Sequence, residues 1–125
     1  MEAGSELNVL IAEKVMKWKR IEREQPENRG FAMTTLDLTH WITSTGSALF
    51  DLPAFSVNIS DAWEVVEEME KNEFHFFIES CKPIYSWWAQ FVPHNGDDEI
   101  NSEAPTAPLA ICRCALKVAL KSSRE

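Results

Sequence analysis

The sequence predicts an α/β (α+β) layered sandwich with three helices and a mostly antiparallel sheet. Two observations support this fold class. Apolar residues recur at helical spacing in three separate segments, and runs that are alternating or rich in β-branched residues lie between those segments. The resulting order is helix, strands, helix, strands, helix, which favours antiparallel pairing over a strictly alternating parallel sheet. A chain of 125 residues is long enough to bury a core as a single domain over residues 1–125.

The first helix is predicted near the N-terminus, with Ser5 as its N-cap. Its apolar face is formed by Leu7, Leu10, Ile11, Val15 and Trp18. We expect a short strand over residues 18–24 and a turn over residues 25–30 to follow. Residues 22–54 carry no recognisable motif, and we expect them to form a variable, insert-like segment. The threonines and large apolar residues of 31–55 are compatible with either strand or extended loop.

The second helix is predicted to begin at Ser60, as N-cap, and to end at Asn72 in a left-handed conformation. One face of this helix is apolar and predicted to be buried, with Trp63 at its border and glutamates on the solvent side. The predicted buried stripe consists of Ala62, Val65, Val66 and Met69.

Two apolar runs, residues 74–78 and 84–92, predict an antiparallel strand pair. Alternation places Trp87 on the core face and Trp88 on the opposite face. The polar segment 93–106 is predicted to be a loop in which Ile100 marks a short edge strand. Thr106 is then expected to cap a final helix that is apolar enough to pack on more than one side or to lie in a subunit interface.

Charge is distributed unevenly along the chain. The net charge is −8 and the isoelectric point is near 4.9, but residues 30–112 alone carry thirteen acidic and two basic residues. Such a balance disfavours general nucleic-acid binding, which depends on Lys and Arg neutralising phosphates. No apolar run is long enough to cross a membrane. The acidic middle therefore indicates either a solvated surface or a face that docks on a basic partner.

No catalytic motif, metal-binding pattern or cofactor motif is found, so we expect no enzymatic activity, no cofactor and no metal site. Cys112 and Cys114 are two positions apart on a helix and therefore cannot easily bind one metal ion, which makes them small core residues. The three histidines, His40, His75 and His94, are scattered in the sequence. The odd number of cysteines and the absence of a secretory signal indicate a reducing, intracellular compartment.

Three stretches together resemble the phage ABA sandwich domain family: residues 7–18 (LNVLIAEKVMKW), 59–67 (ISDAWEVVE) and 104–116 (APTAPLAICRCAL). They occur in the order of that family and span most of the chain. The resemblance implies a three-layer α/β sandwich encoded by a phage or prophage, and hence the cytoplasm of a bacterial host cell. It implies no reaction, because the family is largely of unknown function, and no catalytic residue is carried over from it.

We therefore expect a non-catalytic phage accessory protein that binds a macromolecular partner with a basic surface, with counter-defence against a bacterial immune system as one form of that role. The candidate contact residues are Trp41, Phe50, Phe55, Trp88, Asp97, Asp98 and Glu99. One alternative is a protein that sequesters a nucleotide signal, which would stack on Trp88 while Lys82 or Arg113 meets its phosphate. Another is a structural or self-assembling phage protein that forms homo-oligomers through the helix at residues 107–120.

Overall fold

The computed structural model of the chain describes residues 2–21, 40–81 and 86–122. Three α-helices and six strands are present in these residues, and their order confirms the predicted fold class. In chain order the elements are α1 (Ser5–Leu10), which continues directly into a π-helical segment (Ile11–Val15), β1 (Lys19–Ile21), β2 (His40–Ile42), β3 (Ala48–Leu49), α2 (Ile59–Lys71), β4 (Phe74–Cys81), β5 (Ser86–Pro93), β6 (Ile100–Ala104) and α3 (Ala107–Ser122).

The strands divide into two antiparallel sheets rather than one. The first sheet has the order β1-β2-β3 and the second has the order β4-β5-β6. In the second sheet, alternate residues face the helices. Phe91, for example, is fully buried and pairs with Phe76 on one side and Ile100 on the other. This inward face, together with α2 and α3, forms the hydrophobic core.

The final helix is the centre of the packing. α3 contacts β5, β6, α2 and the π-helical segment, which confirms that it packs on more than one side. Cys112 and Cys114 are both fully buried, as predicted for small core residues. Leu120, near the end of α3, is the one large apolar side chain in the described part of this helix that is exposed. No helix in the described ranges is long and apolar enough to span a lipid bilayer.

The N-terminal helix is fastened to the loop before α2 by a buried polar network. Asn8 Oδ1 accepts hydrogen bonds from both the backbone N–H of Ser56 (3.0 Å) and its hydroxyl (2.7 Å). The backbone N–H of Gly4 donates to Ser56 Oγ at 2.9 Å. Ser56 is fully buried, so these bonds satisfy polar groups that would otherwise be costly to remove from water.

Two predicted N-caps are wrong. Ser5 is the first residue of α1 rather than its cap, because the chain before it turns at Gly4, whose φ of 138° lies outside the usual range of other residues. The cap of α2 is Asn58, whose side chain accepts from the backbone N–H of Asp61 at 3.2 Å, and Ser60 lies inside the helix. The cap predicted for α3 is confirmed, because Thr106 Oγ1 accepts from the backbone N–H of Leu109 at 3.4 Å.

The predicted end of α2 is also shifted by one residue. Asn72 has φ −91°, and the left-handed residue is Glu73, with φ 68°. The Asn72 side chain instead donates from Nδ2 to the Glu68 carbonyl oxygen at 2.8 Å. This bond satisfies one of the carbonyl groups left open at the helix end and allows the turn to be made one position later.

The segment that the sequence left open between strand and loop contains both. β2 and β3 pair through a turn around Gly46, which has φ 87°, and residues 50–58 lead irregularly into α2. The first predicted strand is present as β1, at Lys19–Ile21. The remainder of that prediction, the turn at residues 25–30 and most of the variable segment 22–54 lie outside the described residues.

Candidate functional site

The outward face of the second sheet carries Trp88 between two carboxylates. Strand pairing places Trp88 directly opposite Glu79 of β4 and directly opposite Glu103 of β6. Its neighbour Ala89 is fully buried in the core, and because successive residues of a strand point to opposite faces, Trp88 points away from the helices. The indole is partly exposed and both glutamates are exposed.

A second aromatic ring lies beside this group. Phe77 is 52% exposed and pairs with Gln90, so it is a diagonal neighbour of Trp88 on the same face. Diagonal side chains on adjacent strands are close enough for two aromatic rings to contact the same group of a binding partner. We call these five residues the Trp88 face: Phe77, Glu79, Trp88, Gln90 and Glu103.

The Trp88 face has a clear electrostatic character. Neither Lys nor Arg occurs among the described outward-pointing residues of its three strands, whereas Glu79 and Glu103 lie on both sides of the indole. The Ser86 hydroxyl donates to Glu103 Oε1 at 3.4 Å. A cation placed over the indole would meet the negative face of the ring and a carboxylate on either side. The arrangement therefore suits an arginine or lysine presented by another molecule.

Two of the predicted contact residues belong to the core. Phe55 is fully buried, with its ring 5.6 Å from that of Trp18, and Trp41 is 5% exposed. Both rings are buried by packing. Trp41 of the first sheet and Phe55 of the loop before α2 lie in the same hydrophobic cluster as the apolar residues of the N-terminal helix. Neither ring offers contact surface in this conformation. Phe50 does, since it is 70% exposed, with its ring 5.8 Å from His40.

The predicted acidic loop is exposed but lies away from Trp88. Asp97, Asp98 and Glu99 follow β5, whereas Trp88 is near the start of that strand. Trp88 and Pro93 are five positions apart on the extended strand, a length of about 17 Å. Within the loop, the backbone N–H of Asp97 donates to Asn95 Oδ1 at 3.0 Å, which closes a local turn.

Of the two residues predicted to contact a phosphate, Arg113 lies beside the edge of β6 and not beside Trp88. Arg113 Nη1 donates to the carbonyl oxygen of Glu103 at 3.3 Å, and Lys117 Nζ donates to that of Asn101 at 3.1 Å. These two side chains therefore cover the outer edge of β6, where an unpaired strand would otherwise invite pairing with another chain. Lys82 lies outside the described residues.

Sequence reasoning missed one contact and one consequence of register. His75 and His94 appear scattered in the sequence, but pairing of Phe74 with Pro93 brings their rings to 4.0 Å between centroids. The sequence pattern predicts a polar loop at Glu103, and only the register of β6 places this residue opposite Trp88. The segment is too polar to indicate a strand, because its buried position is occupied by Ser102 and both neighbours, Asn101 and Glu103, are also polar.

No cluster of three or more His, Cys, Asp or Glu side chains that could hold a metal ion occurs in residues 2–21, 40–81 or 86–122. The buried thiols are chemically quiet. Burial raises the pKa of Cys112 to about 12, and it raises the pKa of Cys114 to about 12 against smaller opposing effects of the Phe91 backbone and Lys117. Both groups are therefore neutral thiols at physiological pH, which makes them poor nucleophiles.

Comparison with known proteins gives a family and a fold. Residues 9–116 match the family model described as the phage ABA sandwich domain. The chain is also similar to a phage protein from Bacillus cereus ATCC 14579 whose crystal structure is solved at 2.0 Å, with a TM-score of 0.63 and 22% sequence identity over 97% of this chain and 94% of that chain. At this identity the likeness shows the fold alone. No curated protein matches the chain.

Proposed function

The chain belongs to the phage ABA sandwich domain family, as its sequence predicts, and from this premise we propose that it is a non-catalytic phage accessory protein that binds a protein partner through the Trp88 face. The observation that carries the proposal is the position of Trp88 between Glu79 and Glu103 on the outward face of the second sheet. The partner surface that fits it is a basic segment with an arginine or lysine at its centre.

Aromatic and charged residues at this position support binding rather than solvation alone. Tryptophan and arginine dominate the energetics of protein interfaces, and a partly exposed indole with a neighbouring exposed phenylalanine gives an apolar centre with a polar rim. The two carboxylates would select a basic partner and speed its encounter, because the surrounding charge of residues 30–112 is also negative. The same field would repel nucleic acids.

The phage membership of the family supports a bacterial host protein as partner, in the host cytoplasm, with a protein of bacterial immunity as one class to examine. The absence of catalysis is part of the proposal. It is supported by the sequence, in which no recognisable catalytic motif occurs.

Charge reversal at the Trp88 face tests the proposal. The affinity-tagged protein and its Glu79→Lys, Glu103→Lys variant are used to capture proteins from a bacterial lysate, followed by quantitative mass spectrometry. We expect a stoichiometric partner that the wild type retains, that the variant loses by about tenfold or more, and that increasing salt releases. The purified partner should then show the same difference in direct titration.

A matched control is available in the acidic loop. The variant Asp97→Lys, Asp98→Lys, Glu99→Lys changes more charge at exposed positions in the loop between β5 and β6, at the opposite end of β5 from Trp88. We expect it to retain the partner, because these residues do not contact the Trp88 face. Loss of the partner in the loop variant but not in the face variant would refute the Trp88 face and favour the acidic loop. A second control, Phe50→Ser, tests the exposed ring at the variable segment in the same way.

A further inference from the structure

A cleft of about 350 Å³ lies on the helical side of the molecule, where the π-helical segment, the end of α2 and α3 meet at the start of β4. Its floor is apolar and is formed mainly by Val15, Met69, Phe74 and Val118. Lys14 and Lys17 line its rim. This volume is at the lower end of the range of small-molecule sites, and an apolar floor with a few charged groups at the edge is typical of them.

The charge of the cleft is opposite to that of the protein. The two rim lysines outnumber the single carboxylate in the lining, that of Glu68, although the chain as a whole has a net charge of −8. Neither Lys14 nor Lys17 has an ion-pair partner in the described part of the chain. Two ammonium groups at the rim of an apolar cavity favour an anionic ligand with an apolar body.

The backbone around the cleft departs from regular geometry at three places. The π-helical segment bonds the backbone N–H of Met16 to the Ile11 carbonyl oxygen at 2.9 Å, and such insertions are frequent at functional sites. Lys17 and Glu73 are the two described non-glycine residues with positive φ, 61° and 68°. Lys17 lines the cleft, and Glu73 lies between two residues that line it.

Lysine is an unfavourable choice for its position. A helix often ends with a left-handed residue, which is usually glycine because any Cβ is strained there. Here the backbone N–H of Trp18 bonds back to the Ala12 carbonyl oxygen at 2.9 Å across the left-handed Lys17. The strain persists at a residue whose ammonium group is at the rim of the cleft, which is where local strain retained for function is expected.

We propose that this cleft binds a small phosphate monoester with a flat apolar body, of the nucleoside monophosphate class. The dianionic phosphate would lie between Lys14 and Lys17, which act as two point charges, and the apolar body would rest on Met69, Phe74 and Val118. The cleft differs from the nucleotide site predicted at Trp88, Lys82 and Arg113. It is also independent of the proposed function, because Phe74 points to the helical side of the sheet and Trp88 points to the other.

Amide chemical shifts in NMR titrations test the cleft directly. The probes are adenosine 5′-monophosphate, adenosine and inorganic phosphate. We expect the monophosphate to shift the amides of Lys14, Lys17, Met69, Asn72, Phe74 and Val118. Adenosine alone and phosphate alone should each bind at least about tenfold more weakly, since each lacks one half of the interaction. Absence of cleft shifts at millimolar monophosphate, or equal binding of adenosine, would overturn the proposal.

Two glycine substitutions separate binding from stability. Lys17→Gly removes the rim charge and also relieves the left-handed strain. We therefore expect a melting temperature about 3 °C higher and monophosphate binding that is at least about fivefold weaker. Glu73→Gly is the matched control. It relieves the same strain outside the cleft lining, so the melting temperature should increase while the lysines and the binding remain.

If the Lys17→Gly variant binds the monophosphate more weakly but melts at a higher temperature, unfolding cannot explain the loss of binding. Lys14→Gln, which removes the other rim charge from a helical position, should weaken binding to a similar extent. Binding that is unchanged in both lysine variants refutes the cleft. A shift pattern centred on Arg113 and Lys117 refutes it as well, in favour of the α3 surface beside β6. Neither result affects the Trp88 face, since capture of the partner is measured separately.

Discussion

Adjacent tryptophans show what a single residue can and cannot reveal. Trp87 and Trp88 were assigned to opposite sheet faces by alternation, and the structure agrees, because Trp87 pairs with Ala104 on the inward face. Yet Trp87 is 37% exposed, near the start of its strand, whereas Ala89 and Phe91 farther along the same face are fully buried. Parity along a strand gives the direction of a side chain, whereas its exposure depends on what other elements cover it.

The two buried thiols give a residue-scale prediction of pH dependence. Burial raises the pKa of Cys112 to about 12 and that of Cys114 to about 12, above the ordinary value of 9.0. Above pH 9.0 the unfolded chain therefore loses thiol protons that the folded chain keeps, so these groups lower the free energy of unfolding as pH rises. Each thiol contributes a fall of about 1.4 kcal/mol per pH unit in the region between the two pKa values.

The measurement is urea unfolding between about pH 9 and 11, compared with a Cys112→Ala, Cys114→Ala variant. All other ionisable groups are the same in both proteins, so the difference between the two slopes isolates Cys112 and Cys114. We expect the wild type to lose stability more steeply, even if the variant is less stable at neutral pH because of the cavities it creates. Parallel slopes would contradict burial as the source of the raised pKa values.

At the scale of elements, the ends of helices were harder to predict than their existence. α2 was predicted from its buried stripe, and Ala62, Val65, Val66 and Met69 are all buried. Its start was placed at Ser60, a good capping residue by type, but Asn58 is equally good and lies one position before the first helical residue. The decision is made by tertiary contacts, since the Asp61 carboxylate accepts from the backbone N–H of Ala54 and holds the incoming loop against the helix.

The cap of α2 can be tested with two alanine substitutions. Asn58→Ala removes the acceptor for the Asp61 backbone N–H and should lower the free energy of unfolding by about 1 kcal/mol. Ser60→Ala, inside the helix, should change it by less than about 0.5 kcal/mol, because serine has no capping role there and alanine is the better helix former. Chemical denaturation checks both values. A larger loss for Ser60→Ala would restore the cap predicted from sequence.

The strands and helices also determine how much of each candidate site could be predicted from the sequence. Trp88 and its outward direction followed from alternation in one strand. Its pairing with Glu79 required the connection between β4 and β5, and its pairing with Glu103 required a strand that polar composition concealed. The cleft could not be predicted at all, because Lys17, Met69 and Val118 come from three distant segments whose packing determines the cavity. Local patterns predict faces, whereas sites formed between elements depend on tertiary structure.

At the scale of the whole molecule, the uneven charge of the chain becomes a division between surfaces. The acidic middle supplies Glu79 and Glu103 on the outward sheet face. Basic residues from near both ends of the described chain lie on the helical side, where Lys14 and Lys17 line the cleft. Lys121 lines a smaller cavity that shares Phe74 and Val118 with it. A net charge of −8 thus conceals one face suited to cations and one cleft suited to anions.

This division predicts that the two sites act independently. The second sheet separates them, because Trp88 points outward while Phe74 packs with the core, and charges on opposite sides of a folded domain are largely screened at physiological salt. Glu79→Lys, Glu103→Lys should therefore leave the dissociation constant for adenosine 5′-monophosphate within about twofold of the wild type. Lys17→Gly should leave partner capture unchanged. In the variant that combines the three substitutions, the loss of nucleotide affinity, measured by NMR titration, should equal that of Lys17→Gly alone, and the loss of partner capture should equal that of Glu79→Lys, Glu103→Lys alone. A non-additive result would mean that both ligands bias one conformational equilibrium across the sheet, and the protein would then couple its partner to its ligand rather than simply carry both.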